Sequence, residues 1–349
     1  MTPRQLAEKI CATLLQHEHQ AYLVGGCVRD LELGREPADY DVCTDARPER
    51  VQELFPNSLA VGAKFGVILV VEDGAQVEVA TFRSDIGYSD GRHPDHVVYS
   101  DSPKEDVRRR DFTINGLLMD PATGEVLDFV EGRADLRAGI VRAIGDPRLR
   151  FAEDKLRMMR AVRFAARFGF RIESETMTAA QNLAAQITQV SPERIRDELT
   201  KLLTEGAARR GFELLEDTGL LAVVLPDIAR MKGVEQPPQY HPEGDVWIHT
   251  RMMLEMLQPN CAPTLAWCAS ARRGQAANLC PGNRAGHTYP LRRPRGGRRA
   301  HGRTHLPRLA LFERGHRADR SAGGQSSPLQ GCPRDAHRHA QAICALAAI

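Results

Sequence analysis

The sequence predicts an α/β head over residues 1–145, an all-α neck and body from 146, and a C-terminal stretch, 268–349, with no packed core. Three observations carry this division. Short apolar runs of strand type interleave with helical patterns up to Gly145. After Asp146-Pro147 the apolar spacing turns helical almost without break, passing Arg163, Ala180 and Gly211, with Ser191-Pro192 as a cap followed by a first-turn proline. From Cys268 the composition collapses into Arg, Gly, Ala, His and Pro with little hydrophobic periodicity.

Taken in order, Leu6, Ile10 and Leu14 put one apolar stripe on an opening helix over 4–18. Strand signals follow at 22–24, 40–43, 67–71 and 77–82, with a helix at 48–55 between them. The first strand runs into Gly25-Gly26-Cys27-Val28-Arg29-Asp30, whose bare backbone N–H groups can approach a triphosphate closely. The second carries Pro37-Ala38-Asp39-Tyr40-Asp41. Side chains alternate across a strand, so Asp39 and Asp41 converge on one pair of divalent ions while Tyr40 turns to the other face. Hard carboxylate oxygens suit Mg2+, and the order of turn and acid pair fits a two-metal nucleotidyl-transfer site. Either feature alone is an ordinary turn.

A third element, Arg108-Arg109-Arg110-Asp111-Phe112-Thr113-Ile114-Asn115, and a fourth, Glu153-Asp154-Lys155-Leu156-Arg157, complete the pattern. A helix opening near Phe151 would carry Asp154, Arg157, Arg160 and Arg163 as a polar stripe at three-residue spacing, with Leu156, Met159, Val162 and Ala166 beneath. A carboxylate only accepts and a guanidinium only donates. Cytosine and adenine both present an amino donor beside a ring acceptor, so an Asp and Arg pair suits either base, and side chains would replace a nucleic-acid template. An exposed helix laced with ion pairs accounts equally well for this segment taken alone.

Together the four elements resemble the class II tRNA nucleotidyltransferase and bacterial poly(A) polymerase family, within the polymerase β-like superfamily, from about Tyr22 to about Trp267. The resemblance implies a polymerase β-like head and template-independent addition or repair of the 3′-terminal CCA of tRNA from CTP and ATP. It implies Asp39 and Asp41 as catalytic Mg2+ ligands, Gly26 and Arg29 on the triphosphate, and Arg110 in the nucleotide pocket. Asp154 and Arg157 then choose the base, with Arg160 and Arg163 also nucleotide-binding. The segment 83–95, rich in glycine and charge, is longer than an ordinary hairpin loop. Relatives that add only two cytidines tend to lack a complete loop here, which favours addition of the adenosine too. Poly(A) polymerases typically carry two basic residues where this chain has Ala63-Lys64, so the CCA-adding branch is preferred. The rivals are a poly(A) polymerase, a partial CC- or A-adding enzyme, and, from another class, a catalytically inactive RNA-binding remnant.

Length suits two or three domains. The start shows no charged segment followed by an apolar one, and the purely apolar runs, 67–71 among them, are far too short to span a bilayer, so a cytoplasmic protein without membrane contact or protein partner is expected. Eight scattered cysteines show neither disulfide nor zinc spacing, and Cys27 and Cys43 read as small packing residues. The net charge of +2 hides an asymmetry: from Cys268 there are fifteen arginines, no lysine and three acids, so the preceding part is acidic by about ten charges. RNA contact before Cys268 must therefore come from local basic patches.

Residues 236–250, with His241 and His249, resemble the entry to an HD phosphohydrolase-type domain, assigned to 231–267, but the later His-Asp pair is missing. Back-translated with suitable codons and read one base later, 271–279 can spell HDVGKPPTF, the missing signature, and 313–333 can spell NEDTEQIVALVANHLRFKDVH. A small insertion or deletion near Trp267 or Cys268 would put the remainder out of frame. The competing reading is a disordered basic tail that binds RNA, though it lacks the aromatics and repeats that would support one.

Overall fold

The computed structural model describes residues 1–62, 66–87, 96–236, 239 and 242–270. The expectations for Ala63-Lys64, for 88–95 of the long loop, for His241 and for the tail from 271 fall outside the described residues.

The head opens with α1 (Pro3–Gln16), started by a capping box between Thr2 and Gln5. Leu6, Ile10 and Leu14 are fully buried, as their spacing requires, and pack α1 onto the sheet. Then follow β1 (Ala21–Val24), α2 (Gly26–Glu32), β2 (Asp41–Thr44), α3 (Pro48–Leu54), β3 (Ser58–Gly62), β4 (Val67–Glu72) and β5 (Ala75–Thr81). A hairpin of β6 (Arg83–Ile86) and β7 (His96–Tyr99) precedes α4 (Pro103–Arg108), β8 (Leu117–Met119), β9 (Val126–Asp128), α5 (Gly132–Ala138) and β10 (Ile140–Val141). Seven strands form one sheet in the order β3-β4-β5-β2-β1-β8-β9. Its pairs are antiparallel except β2 and β5, which run parallel with Asp41 opposite Glu78. The four strands expected from sequence are present to within a few residues. β3, β6, β7, β8 and β9 were not expected: β6 corrects the reading of 83–95 as one long loop, β8 and β9 have only three residues each, and β8 is buried on both faces, which erases the alternation that marks a half-buried strand.

The second part consists of α6 (Pro147–Glu153), α7 (Leu156–Phe168), β11 (Arg171–Ile172), α8 (Ser174–Leu183), α9 (Pro192–Thr204), α10 (Ala208–Asp217), α11 (Leu220–Val224), α12 (Pro226–Ala229), α13 (Val246–Glu255) and α14 (Pro263–Ser270). Two expectations are corrected here. The part is not purely helical, since β11 pairs in parallel with β10 and stitches the two sides of the boundary near 145 together. Nor does one helix run through Asp154: the backbone is extended there (φ −145°, ψ 107°), α6 ends at Glu153, and the Asp154 carboxylate accepts the Leu156 N–H at 3.0 Å to start α7. Leu156, Met159, Val162 and Ala166 are buried as expected, and α7 packs between α9 and α10. Cys27 and Cys43 are buried free thiols. Among the described residues no helix is long and apolar enough to cross a membrane.

Candidate active site

Gly25 follows β1 and opens α2 with φ 76° and ψ −123°, a conformation that favours glycine, and its N–H donates to the Leu117 carbonyl at 3.1 Å. A Cβ built there would meet Arg110 Nη1 at 3.3 Å, and one built on Gly26 would meet Arg29 Nη2 at 3.6 Å. Two guanidinium groups from distant parts of the sequence thus crowd one bare turn, an anion-binding arrangement. Gly25→Ala would both strain the backbone and push Arg110 aside. Affinity for a polyphosphate anion, read by calorimetry with inorganic tripolyphosphate, should fall by about tenfold or more.

Arg110 is aimed by Asp106, a buried acid on α4 that accepts from Arg110 Nε and Nη2 at 3.2 and 2.8 Å and from Arg109 Nη2 at 2.7 Å. Sequence reasoning passed over Asp106, although its i,i+4 spacing to Arg110 was a usable signal.

Beside the turn, Tyr40 is buried, Asp39 is exposed and Asp41 is half-buried. The strand itself begins only at Asp41, leaving Asp39 on the approach to β2. Burial pushes the Asp41 carboxyl up to about 6, aided by the like charges of Asp39 and then Glu78 and opposed by Arg110. Glu78 is a third acid that the sequence did not flag, because only the parallel β2–β5 register brings it opposite Asp41. Among the described residues no group of three His, Cys, Asp or Glu side chains forms a ready-made cation site. The donor set still fits Mg2+, which is commonly held by one or two carboxylates together with substrate phosphates. A partly buried carboxylate crowded by like charge is the kind of group a divalent cation relieves.

Arg29 is buried. It donates from Nε to Asp30 at 2.9 Å and from Nη1 to Asn115 Oδ1 at 2.6 Å. Asn115 Nδ2 donates to Asp111 Oδ1 at 3.0 Å, and Asp111 Oδ2 accepts from Arg160 Nε at 2.9 Å. Burial alone would raise the Asp111 carboxyl, but Arg160 and the Asn115 hydrogen bond outweigh it and bring it down to about 2.

The remaining expected residues lie at the start of α7 and along it. Asp154 Oδ2 accepts from Arg194 Nη2 at 2.7 Å, a partner on α9 that sequence reading missed. Arg157 donates to Glu153 at 2.5 Å and to the carbonyls of Arg150 and Arg109 at 3.1 and 3.3 Å. Asp154 and Arg157 thus sit on one turn, each held by other partners. Arg163 is buried and paired with Glu198 at 2.5 Å and Glu205 at 3.2 Å on and just beyond α9, which places it in the helical core. Gly26, Arg29, Arg110 and Asp41 therefore gather at the turn, Asp39 flanks them, and Asp111 ties Arg160 to the same cluster.

The family described as "Poly A polymerase head domain" matches residues 21–142, and the one described as "Probable RNA and SrmB- binding site of polymerase A" matches 169–232. The chain is similar to a CCA-adding enzyme of Geobacillus sp. (strain WCH70), 44% identical over 218 residues that cover 62% of this chain and 54% of that protein. The CCA-adding enzyme of Lactiplantibacillus plantarum is 47% identical over 57% of this chain and 49% of its own length. Among solved structures, the Bacillus stearothermophilus CCA-adding enzyme in complex with CTP shows 43% identity and a TM-score of 0.58, covering 62% of this chain and 53% of that one. The Thermotoga maritima CCA-adding enzyme complexed with tRNA shares the fold at 24% identity and a TM-score of 0.54, over 72% of this chain and 62% of that one. The chain spans about half the length of the curated relatives it matches.

Proposed function

We propose, from the match of residues 21–142 to the poly A polymerase head domain and the similarity to CCA-adding enzymes, that the chain adds or repairs the 3′-terminal CCA of tRNA, without a template, from CTP and ATP. The observation that carries this is the glycine turn crowded by Arg29 and Arg110 next to the Asp39–Asp41 pair. Asp39 and Asp41 would hold magnesium ions, which would supply activation of the RNA 3′-hydroxyl and charge stabilisation for the leaving pyrophosphate. The turn at Gly26, with Arg29 and Arg110, contacts the triphosphate. Asp154 accepts from the amino group of cytosine or adenine while Arg157 donates to the neighbouring ring nitrogen, with Arg160 nearby on α7 and Arg163 beneath it as a support. Similarity to proteins named CCA-adding enzymes supports this reading over a poly(A) polymerase or a partial enzyme.

Residues 1–145 act as the catalytic head and 146–230 as neck and RNA-binding body. We further infer that 231–267 begins an HD-type domain and that 268–349 is read out of frame; the nucleotide sequence tests this, since codons at 271–279 unable to yield HDVGKPPTF in the shifted frame contradict it. His249 is partnered by Glu243 and is not assigned to a metal.

The direct test incubates the protein and Mg2+ with tRNA lacking its end and each labelled triphosphate. The proposal expects cytidines and then one adenosine in fixed number. A long adenosine tail points to a poly(A) polymerase, one nucleotide type alone to a partial enzyme, and no incorporation to an RNA-binding remnant. In the same assay Arg194→Ala, which frees the Asp154 carboxylate to rotate, should lower kcat/KM for both CTP and ATP by about tenfold and raise the share of UTP incorporated.

A further inference from the structure

Arg29 and Arg160 come from opposite sides of the head–neck boundary, yet they are joined twice. The polar route runs from Arg29 Nη1 to Asn115 Oδ1 at 2.6 Å, from Asn115 Nδ2 to Asp111 Oδ1 at 3.0 Å, and from Arg160 Nε to Asp111 Oδ2 at 2.9 Å. An amide is suited to the middle of this chain because it accepts at one end and donates at the other. The apolar route is Phe164, whose ring lies 5.3 Å from the Arg29 guanidinium carbon and 5.2 Å from that of Arg160. Phe112 packs edge-on against the same ring at 5.9 Å and fixes it. All the linking side chains are buried or nearly so, so a shift of one guanidinium cannot be absorbed by solvent.

We propose that Asn115 and Phe164 are positioning residues that couple triphosphate recognition at Arg29 to nucleotide recognition at Arg160, so that the triphosphate tail sharpens the choice of base. The inference rests on the nucleotide-binding reading of the site. Its energetic form is reciprocal: a triphosphate that draws on Arg29 must change affinity for the base by the same factor as the base changes affinity for the triphosphate.

The test measures binding of CTP, UTP, CMP and UMP to the full chain with Mg2+ and no tRNA, so that turnover does not enter. In the wild type the preference for CTP over UTP should exceed that for CMP over UMP by about fivefold to tenfold. Asn115→Asp keeps an acceptor for Arg29 but sets a carboxylate against Asp111. Phe164→Leu keeps apolar volume but removes the ring. In each variant the two preferences should converge while CTP binding persists, weakened by about tenfold. Preferences that are equal in the wild type, or that stay apart in both variants, overturn the coupling. A wild-type protein that binds neither CTP nor CMP would instead count against the nucleotide-binding reading. Thermal melts identify any variant that has not folded, in which case the other decides.

Discussion

Asp41→Asn is expected to cut nucleotide incorporation by at least about a thousandfold, because on the proposed two-metal reading it would remove a charged ligand for ions that would offset several kcal/mol of charge developing in the transition state. The same change should make the isolated protein more stable at neutral pH. The Asp41 carboxyl, at about 6 in the folded chain against 3.8 ordinarily, holds a proton more tightly folded than unfolded. Its favourable contribution is therefore complete below about 3.8 and is lost as the pH rises through about 6. Above that pH the buried charge costs about 1–3 kcal/mol, which the asparagine avoids. Denaturation in the presence of a chelator at pH 7.5 and pH 4 should show stabilisation at the first and little change at the second. Affinity of the wild type for Mg2+ should rise with pH through about 6, since the carboxylate must be ionised to take a cation. Loss of stability at pH 7.5, or undiminished incorporation, would contradict the assignment.

Glu198→Ala is expected to destabilise the fold by about 3–5 kcal/mol, which urea denaturation would read directly. Glu198 and Arg163 are both buried, and the bond between them at 2.5 Å joins α9 to α7. Removing the acid leaves the Arg163 charge with only the longer contact to Glu205 at 3.2 Å and the Phe164 face at 4.3 Å. If Arg163 instead reached the nucleotide and leaned little on Glu198, stability would change by less than about 1 kcal/mol and CTP affinity would carry the loss.

These cases show where the sequence spoke and where it did not. The glycine turn, the Asp39–Asp41 spacing and the apolar stripes of α1 and α7 depend on neighbours close in sequence, and all were visible in periodicity and turn chemistry. Glu78 depends on how two parallel strands register, and Arg194 on which face of α9 meets the start of α7; neither leaves a local trace. The three-residue spacing of Asp154, Arg157, Arg160 and Arg163 suggested one shared polar face. Folding divided it: Asp154 lies in a break between helices, Arg160 joins the head through Asp111, and Arg163 turns to buried acids. Arginine spacing alone cannot separate a base reader from a core ion pair, since both use the same planar fork.

The most direct measurement is electron paramagnetic resonance of Mn2+ titrated into the protein with CTP, in place of Mg2+. The wild type should hold the ions tightly, and Asp39→Ala and Asp41→Asn should each weaken them by at least about tenfold while circular dichroism stays native. Ion binding undiminished in both variants would contradict their role as ligands.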